Sequence, residues 1–481
     1  MKSGPGFRRF YRAAVVAVLF VLVLPVALQG QQTGGAKYVF FMIGDGMGPA
    51  QRAAAELYLS GPQEKGKPIR LQKLTMNSLP VFGFARTNAV DAIVTDSGAS
   101  ATAMATGHKV PIATISLDAN GNKLTTLAEI ARERGWKVGI VSSAPIDDAT
   151  PAAFYAHQTT RGSHYDISME LAGSGFDYFA GGAAMGARPI ELEGRPSAVE
   201  AAKKNGYAIA TNRDQLMALK PGAGKVWSYW ALPDSNHTTY YEMDRPADQP
   251  SLVDFTRKGI ELLDNPKGFF MMVEGGETDG ACHAHDLPAA IGETLIFDQA
   301  VAAALEFQKK HPAETLILVT NDHETGGMAL GGSGGGSLLF LHTKVAGQKK
   351  SQEVFDKKVI EFRAKKTTFE EALPAIKEFF GFEELAPASA KLLADAYAES
   401  MKDPASRRKD EAYLTLYARL EPLSAACSNL LGRQAGISWN SYNHTYMPAP
   451  VSAVGAGSEL FAGWYENSDL FRKVLSAMAP K

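Results

Sequence analysis

The sequence predicts an α/β fold: a three-layer α/β/α sandwich around a large, mostly parallel sheet, with a helical insertion. Short apolar runs, each about as long as a buried strand, alternate along the chain with helix-like stretches. Such alternation favours a parallel sheet with helices on both of its faces. One later region is charged and helical and contains no run of the first kind. These patterns define the architecture that we expect.

Five apolar runs are predicted as strands because each is followed by Gly, Asp, Ser or Thr, and several are rich in Val, Ile and Phe. They cover residues 38–43, 92–95, 137–142, 269–273 and 315–320. Helices are expected between these runs. They cover residues 49–59, 100–106, 124–134 and 289–310.

The expected domain organisation is a signal peptide over residues 1–30, a catalytic domain over 36–481 and, within that domain, a helical insertion over 345–435. Charged segments such as VFDKKVIEFRAKK indicate exposed helices in the insertion. A glycine-rich stretch at 331–337 precedes it and is typical of a loop.

The first thirty residues have the layout of a secretory signal. Four basic residues among the first twelve precede an apolar run over 13–28 that is broken only by Pro25. This run is shorter than the roughly 20 apolar residues of a membrane span. We therefore expect a periplasmic or secreted protein with no stable membrane insertion after signal cleavage. The cleavage point stays open, and a membrane anchor or a buried helix is the alternative.

Composition and cysteine content narrow the class of protein. The chain has 481 residues, 45% of them hydrophobic and 21% charged, as in an ordinary globular enzyme. Its formal net charge of -2 argues against nucleic acid as a dedicated partner, which usually requires a basic face. Cys282 and Cys427 are the only cysteines, which excludes a disulfide-rich framework. Two unpaired thiols are favoured over one disulfide.

Polar residues follow nearly every predicted strand, and this pattern is the main indication of a functional site. They occur in Gly44-Asp45-Gly46, Thr95-Asp96-Ser97, Asp147-Asp148-Ala149-Thr150, Glu274 with Asp279 and His283, and Asp322-His323. Ligands of open parallel sheets bind at the carboxyl ends of the strands, so these groups should converge. Clustered carboxylates repel one another unless cations neutralise them. Asp, Glu and His together suit zinc, and oxygen ligands alone suit magnesium.

Ser97 is the candidate nucleophile because it lies between an apolar run and a helix of small residues. The start of a helix offers free backbone N–H groups and a partial positive charge, which favour an alkoxide or a phosphate there. Small neighbours such as Gly98 and Ala99 leave room for a ligand. Ser100 is the weaker candidate because it lies deeper in the helix.

These residues lie in motifs that resemble the bacterial alkaline phosphatase family. The motifs are GDGMG at 44–48, TDSGASATAMATG at 95–107, DDATPAAFYAHQTTR at 147–161, EGGETDGACH at 274–283 and NDHETGG at 321–327. Each motif alone is weak, but the set is highly specific and spans nearly the whole chain after the signal, apart from the helical insertion.

The resemblance implies an enzyme that hydrolyses phosphate monoesters through a phosphoserine, with two zinc ions and one magnesium ion. Ser97 matches the nucleophile and Arg161 the arginine that holds the substrate phosphate. The matching metal ligands are Asp279, His283 and His444 for the first zinc, Asp45, Asp322 and His323 for the second, and Asp45, Thr150 and Glu274, with Asp148 in or near the site, for magnesium.

The resemblance also leaves several points open. His444 stands alone in SWNSYNHTYMP, and only the segment that follows it matches the family. Asp148 and Gly280 depart from residues that other members carry. His285 and Asp286 are expected to lie outside the ligand set. Family members usually accept a broad range of small phosphomonoesters. The resemblance implies a homodimer, with a monomer as the alternative.

Two other functions are alternatives to phosphomonoester hydrolysis. A phosphodiesterase or sulfatase on the same fold is disfavoured because the C/S-x-P-x-R sulfatase signature is missing, whereas the acids of the magnesium site are present. A catalytically silent metal- or phosphate-binding protein would be expected to lack the nucleophile or a ligand, and neither is missing. Likeness of fold alone cannot decide between these functions.

Overall fold

A ten-stranded sheet forms the centre of the computed structural model, which describes residues 35–63, 66–188, 194–230, 239–331, 340 and 342–478. The described residues form these ten strands and four shorter ones outside the large sheet. In chain order they are β1 (Tyr38–Gly44), β2 (Val81–Arg86), β3 (Lys137–Pro145), β4 (Tyr178–Gly182), β5 (Tyr207–Ala210), β6 (Lys225–Tyr229), β7 (Phe269–Gly275), β8 (Thr315–Thr320), β9 (Glu324–Thr325), β10 (Ala329–Leu330), β11 (Ile437–Ser438), β12 (His444–Thr445), β13 (Ala449–Gly455) and β14 (Gly463–Glu466).

The strand order in the large sheet is β14-β2-β13-β8-β1-β7-β3-β4-β6-β5. Only β13 runs antiparallel to the others, since it pairs antiparallel with both β2 and β8. Two small sheets, β10-β11 and β12-β9, lie apart from it. The mostly parallel sheet that we predicted is confirmed.

Helices pack on both faces of the sheet. Those of the described residues are α1 (Pro49–Leu59), α2 (Ser97–Thr106), α3 (Leu127–Glu133), α4 (Ala149–Ala152), α5 (His164–Gly173), α6 (Ala198–Lys204), α7 (Arg213–Ala218), α8 (Leu252–Leu263), α9 (Glu277–His283), α10 (Leu287–Gln308), α11 (His342–Val345), α12 (Gln352–Lys365), α13 (Phe369–Phe380), α14 (Pro387–Ser400), α15 (Glu411–Tyr417), α16 (Pro422–Ala435) and α17 (Asp469–Ala477).

Strand β1 shows why the fold has three layers. All of its residues are buried, and successive side chains point to opposite faces. Val39, Phe41 and Ile43 join a core with α2, α3, α5 and α17. Phe40 and Met42 join a second core with α8 and α10. The predicted three-layer α/β/α architecture is therefore confirmed.

One of the five predicted strands is wrong. Residues 92–95 form a loop, in which Ile93 is 71% and Val94 40% exposed. Just before this loop, Val90 N donates to the Val110 carbonyl of a neighbouring loop. β-Branched residues made the segment resemble a buried strand. The other four predicted strands correspond to β1, β3, β7 and β8.

The charged region forms helices α12 to α16, which surround an apolar cluster of their own, including Phe355, Leu393 and Cys427. Its boundaries at 345 and 435 stay a prediction. Cys282 and Cys427 are free and buried, as favoured. Among the described residues, no helix is both long and apolar enough to cross a membrane. The predicted signal at 1–30 lies outside the described residues.

Candidate active site

The carboxyl ends of three adjacent strands build the site. Strand β1 lies between β7 and β8 and is parallel to both, with Ile43 opposite Glu274 on one side and Thr320 on the other. The chain leaves β1 at Asp45 and leaves β8 toward Asp322. Parallel pairing therefore brings carboxylates that are far apart in sequence to one edge of the sheet.

Asp45, Asp322 and His323 form one compact group, with one ligand atom of each within 4.8 Å of the others. His323 Nε2 lies 3.1 Å from Asp322 Oδ2 and 3.5 Å from Asp45 Oδ1. All three residues are buried. The backbone N–H groups of Gly46 and His323 donate to Asp322 Oδ1, which fixes the orientation of that carboxylate.

A second group contains Asp279, His323 and His444, so His323 belongs to both groups. His283 lies one helical turn from Asp279 on α9, and its Nε2 is 3.2 Å from Asp279 Oδ2. The structure thus places His283 beside Asp279 but outside the three-residue group. His444 Nε2 lies 3.6 Å from Asp279 Oδ1.

The small sheet β12-β9 explains how His444 reaches the site. Its register places His444 opposite Thr325, two residues beyond His323. His444 Nδ1 is 2.9 Å from the Thr95 carbonyl, and His283 Nδ1 is 2.6 Å from the Tyr442 carbonyl. Carbonyls only accept hydrogen bonds, so both Nδ1 atoms carry protons. In the neutral form of each ring, Nε2 then has a lone pair that can bind a metal.

Hydrogen bonding through Thr325 fixes His323 in the same tautomer. The Thr325 hydroxyl donates to Asp279 Oδ1 and lies 3.3 Å from His323 Nδ1. A hydroxyl has a single proton to donate, so His323 Nδ1–H is the donor in the second bond. The lone pair of His323 Nε2 therefore faces Asp45, Asp322 and the Ser97 hydroxyl.

Ser97 begins helix α2, and Asp96 is its N-cap, accepting hydrogen bonds from the N–H groups of Gly98 and Ala99. Ser97 Oγ lies 3.2 Å from His323 Nε2 and 3.4 Å from Arg161 Nη1. The serine is only 2% exposed. The candidate nucleophile thus lies beside both His323, the histidine that belongs to both groups, and Arg161.

Arg161 lies between two carboxylates beside Ser97. Its Nη1 is 3.3 Å from Asp96 Oδ2, and its Nη2 is 3.1 Å from Asp148 Oδ1. Burial alone would lower the pKa of the guanidinium, but Asp148 and Asp96 outweigh burial and raise it. Arg161 therefore stays charged, with its fork held next to the serine hydroxyl.

The residues predicted for magnesium lie on the far side of Asp45. Thr150 Oγ1 donates to Asp45 Oδ2 over 3.3 Å, and the Thr150 hydroxyl also interacts with Glu274. Ser142 donates to Glu274 Oε2. Asp148 contributes charge to both acids while its carboxylate is held by Arg161.

Burial and mutual repulsion disfavour negative charge on the carboxyl groups of this cluster. Burial, together with nearby acids, raises the pKa of Asp45 well above its ordinary value. The same causes raise the pKa of Glu274 to about 8 and that of Asp322 to about 7. Asp45 Oδ1, Asp322 Oδ2 and Glu274 Oε1 are buried without a hydrogen-bond partner among the described residues. Unpaired oxygens beside an imidazole lone pair fit divalent cations.

Asp279 differs from the other carboxylates of the site. Burial raises its pKa, but a hydrogen bond to His283 and the charge of that ring outweigh burial and lower it. In turn, Asp279 raises the pKa of His283 to about 9 against the effect of burial. Burial lowers the pKa of His323 well below its ordinary value, which keeps this imidazole neutral.

Sequence reasoning missed the residues that orient the predicted ligands. Thr325 and Ser142 hold carboxylates, and the carbonyls of Thr95 and Tyr442 hold imidazoles. Thr325 lies in the NDHETGG motif and could have been noticed there. A backbone carbonyl leaves no signal in a sequence.

His285 and Asp286 contribute no ligand to either group of the described residues. The His285 ring stacks against Trp439 and Tyr442, with ring centroids 4.9 and 3.9 Å away. Asp286 caps helix α10 by accepting a hydrogen bond from Ala289 N. Both residues therefore support the wall of the site.

Comparison with known proteins connects this site to one family. The family model described as alkaline phosphatase matches residues 36–180 and 181–479. Alkaline phosphatase 3 of Bacillus subtilis is 29% identical over 454 residues, covering 92% of this chain and 89% of the relative. Streptomycin-6-phosphate phosphatase of Streptomyces griseus is 32% identical over 383 residues, covering 67% and 82%.

A solved structure shares the architecture. The cold-active alkaline phosphatase of Shewanella sp. superimposes with a TM-score of 0.75 and 26% sequence identity. The match covers 92% of this chain and all of the other. The likeness therefore extends over most of the chain.

Removing divalent cations is expected to make the protein lose stability as the pH rises. The pKa values of Asp45, Glu274 and Asp322 are higher in the folded state than the ordinary value of about 4, so the metal-free fold binds more protons than the unfolded chain does. This contribution to stability is complete below the ordinary pKa and is lost as the pH rises through about 7 to 8. Between pH 6 and 9 the thermal midpoint of chelated protein should fall by several degrees, and zinc with magnesium should restore it.

Two variants make this measurement specific. Glu293→Gln removes another buried carboxyl group whose pKa is raised to about 8, but one outside the cluster, and should keep the response to metal. Asp45→Asn combined with Asp322→Asn should lose that response. If zinc and magnesium stabilised the double variant as strongly as the unsubstituted protein, the cluster would not be the cation site.

Proposed function

Because the chain belongs to the alkaline phosphatase family, whose members are phosphoric monoester hydrolases, we propose that it hydrolyses small phosphate monoesters through a phosphoserine on Ser97. The observation that carries this proposal is the position of Ser97 Oγ, 3.2 Å from the imidazole shared by two ligand groups and 3.4 Å from a guanidinium. The proposed nucleophile thus lies next to a metal ligand and next to a cation that can bind phosphate.

Ser97 is suited to attack phosphorus. Its hydroxyl lies at the N-terminus of α2, where free N–H groups and the helix dipole favour negative charge. As the Oγ–P bond forms, the bond from phosphorus to the alcohol oxygen breaks and the alcohol leaves. Water then attacks the phosphoserine, which releases inorganic phosphate and restores the serine.

Arg161 would hold the transferring phosphoryl group. Its guanidinium offers two parallel N–H donors, a geometry that matches two phosphate oxygens. Asp96 and Asp148 now accept bonds from those donors and keep the fork beside Ser97. A dianionic phosphate would compete for the same donors, so the two carboxylates pre-position the arginine for it.

The unpartnered oxygens and imidazole lone pairs support two zinc ions and one magnesium ion as cofactors. Asp279, His283 and His444 would hold one zinc, Asp45, Asp322 and His323 the other, and Asp45, Asp148, Thr150 and Glu274 the magnesium. When bound, these ions supply positive charge that lowers the pKa of nearby hydroxyl groups and offsets the charge of the reacting oxygens.

A periplasmic or secreted location and an N-terminal signal complete the proposal. They are supported by the basic and apolar order of the first thirty residues. We also propose the division into a catalytic domain over 36–481 and an insertion over 345–435. The separate apolar cluster of the helical region supports this division. Homodimerisation remains an expectation from the family resemblance.

Ser97→Ala should lower turnover of p-nitrophenyl phosphate by on the order of 10³-fold or more, because the group that accepts the phosphoryl is lost. The zinc and magnesium content should stay near that of the unsubstituted enzyme, because serine is not among the proposed ligands. Acid quenching with ³²P-labelled substrate measures the intermediate directly. Ser100→Ala is the matched control and should keep the label, since Ser100 donates to the Asp322 carbonyl. Labelling of Ser97→Ala at the normal level would refute the proposed nucleophile.

The proposed site should discriminate strongly by substrate charge. The kcat/KM for p-nitrophenyl phosphate should exceed the values for bis(p-nitrophenyl) phosphate and p-nitrophenyl sulfate by at least about 10²-fold, because singly charged esters leave cationic groups of the site unpaired. Assays of the three esters on one metal-loaded preparation test this. A preference for the diester or the sulfate would favour the alternatives on the same fold.

A further inference from the structure

A cleft of about 1010 Å³ connects the candidate active site to the helical region. One wall carries His283 and the neighbouring segment 440–443, and the other carries Leu414, Ala418, Arg419 and Leu420 from the end of α15. His283 is the point at which the cleft meets the candidate site, so an alcohol chain that leaves the site on the His283 side would enter the cleft. The helical region therefore lies where it can contact the leaving group.

A smaller pocket of about 420 Å³ opens on the same segment, which we call the basic pocket. It shares Leu414, Ala418, Arg419 and Leu420 with the cleft. Four cationic side chains line it, and no acidic side chain is among its described lining residues. The four are Arg407, Arg408, Lys409 and Arg419. The cleft itself carries one carboxylate, Glu411, so an anion would find fewer negative neighbours in the basic pocket.

Nearby acids do not neutralise all four cations. Arg407 is paired with Glu421 at 2.9 Å, and Arg408 lies 3.7 Å from Glu399 and 3.9 Å from Asp410. Lys409 and Arg419 have no ion-pair partner in the described part of the chain. The Arg407 side chain is only 10% exposed, yet its Nε has no hydrogen-bond partner there. The pocket thus combines uncompensated charge with an unused buried donor.

The turn that carries Arg419 is strained. Ala418 has φ 50° and ψ -123°, and the Leu420 N–H donates to the Tyr417 carbonyl over 3.0 Å. These values describe a type II′ turn with alanine at the position that normally requires glycine. Such strain persists only where the surroundings enforce it. It holds Arg419 between the cleft and the basic pocket.

We infer that the basic pocket binds a second anionic group on the leaving alcohol, so that the enzyme prefers phosphomonoesters whose alcohol carries a distal phosphate or carboxylate. This inference rests on the proposed function at Ser97. Arg419 and Lys409 are the specificity-determining residues, because their charges are not offset by nearby acids. Arg407 adds a buried donor.

Matched substrate pairs test the inference on the full-length, metal-loaded enzyme. Alkyl phosphates of four, six and eight carbons are compared with the α,ω-alkanediol bisphosphates of the same lengths. For the best-fitting length, the bisphosphate should show a kcat/KM about tenfold higher at low ionic strength, and this advantage should shrink as salt is added. Because either phosphate of the bisphosphate can react, half of its kcat/KM is compared with that of the alkyl phosphate. The corrected ratio then isolates the contribution of the distal phosphate.

Variants then assign the preference to residues. Arg419→Gln and Lys409→Gln should each lower the bisphosphate-to-alkyl ratio several-fold. Lys391→Gln is the control, since Lys391 is an exposed lysine of α14 that pairs with Asp395 and does not line the pocket. An unchanged ratio in both pocket variants, or an equal kcat/KM for both members of every pair, would overturn the inference. Failure of the enzyme to hydrolyse any of these esters would instead refute the proposed function.

Discussion

The site depends on one electrostatic constraint: more negative charge is gathered at the sheet edge than the chain itself neutralises. Asp45, Glu274 and Asp322 are buried together, and each has an oxygen without a hydrogen-bond partner among the described residues. The neutral imidazole of His323 turns its lone pair toward the same space. Arg161 is engaged by Asp96 and Asp148 rather than by these acids. Divalent cations would resolve this imbalance, and the proposed chemistry at Ser97 depends on them.

The fold produces this concentration of charge by topology. Strand β1 between β7 and β8 brings three strand ends together, although β1 is far from the other two in sequence. The small sheet β12-β9 adds His444 after the helical region has intervened. That region then returns to the site as the opposite wall of the cleft beside His283. The rigid sheet thus holds the ligands, whereas a strained turn holds Arg419, one of the cations that we infer to bind the alcohol part of the substrate.

Much of the fold and part of the candidate site could be predicted from the sequence. Strands β1, β3, β7 and β8 were recognisable because continuous apolar runs end in polar residues there. The loop at 92–95 was wrongly predicted as a strand because β-branched residues give the same sequence pattern in a buried strand and in an exposed loop. His444 needed the family resemblance, since nothing in a lone histidine reveals its partner strand. Thr325 and the carbonyl of Thr95 gain their roles only from contacts made by folding.

The proposed chemistry requires two divalent ions near His323 Nε2, next to the Ser97 hydroxyl. Anomalous diffraction from crystals of the zinc-loaded protein, recorded on both sides of the zinc absorption edge, tests it most directly. Two zinc peaks about 4 Å apart are expected, one among Asp45, Asp322 and His323 and one among Asp279, His283 and His444. Zinc-loaded crystals with no peak in either group would contradict this two-metal arrangement. Crystals in which zinc is bound only elsewhere would contradict it as well.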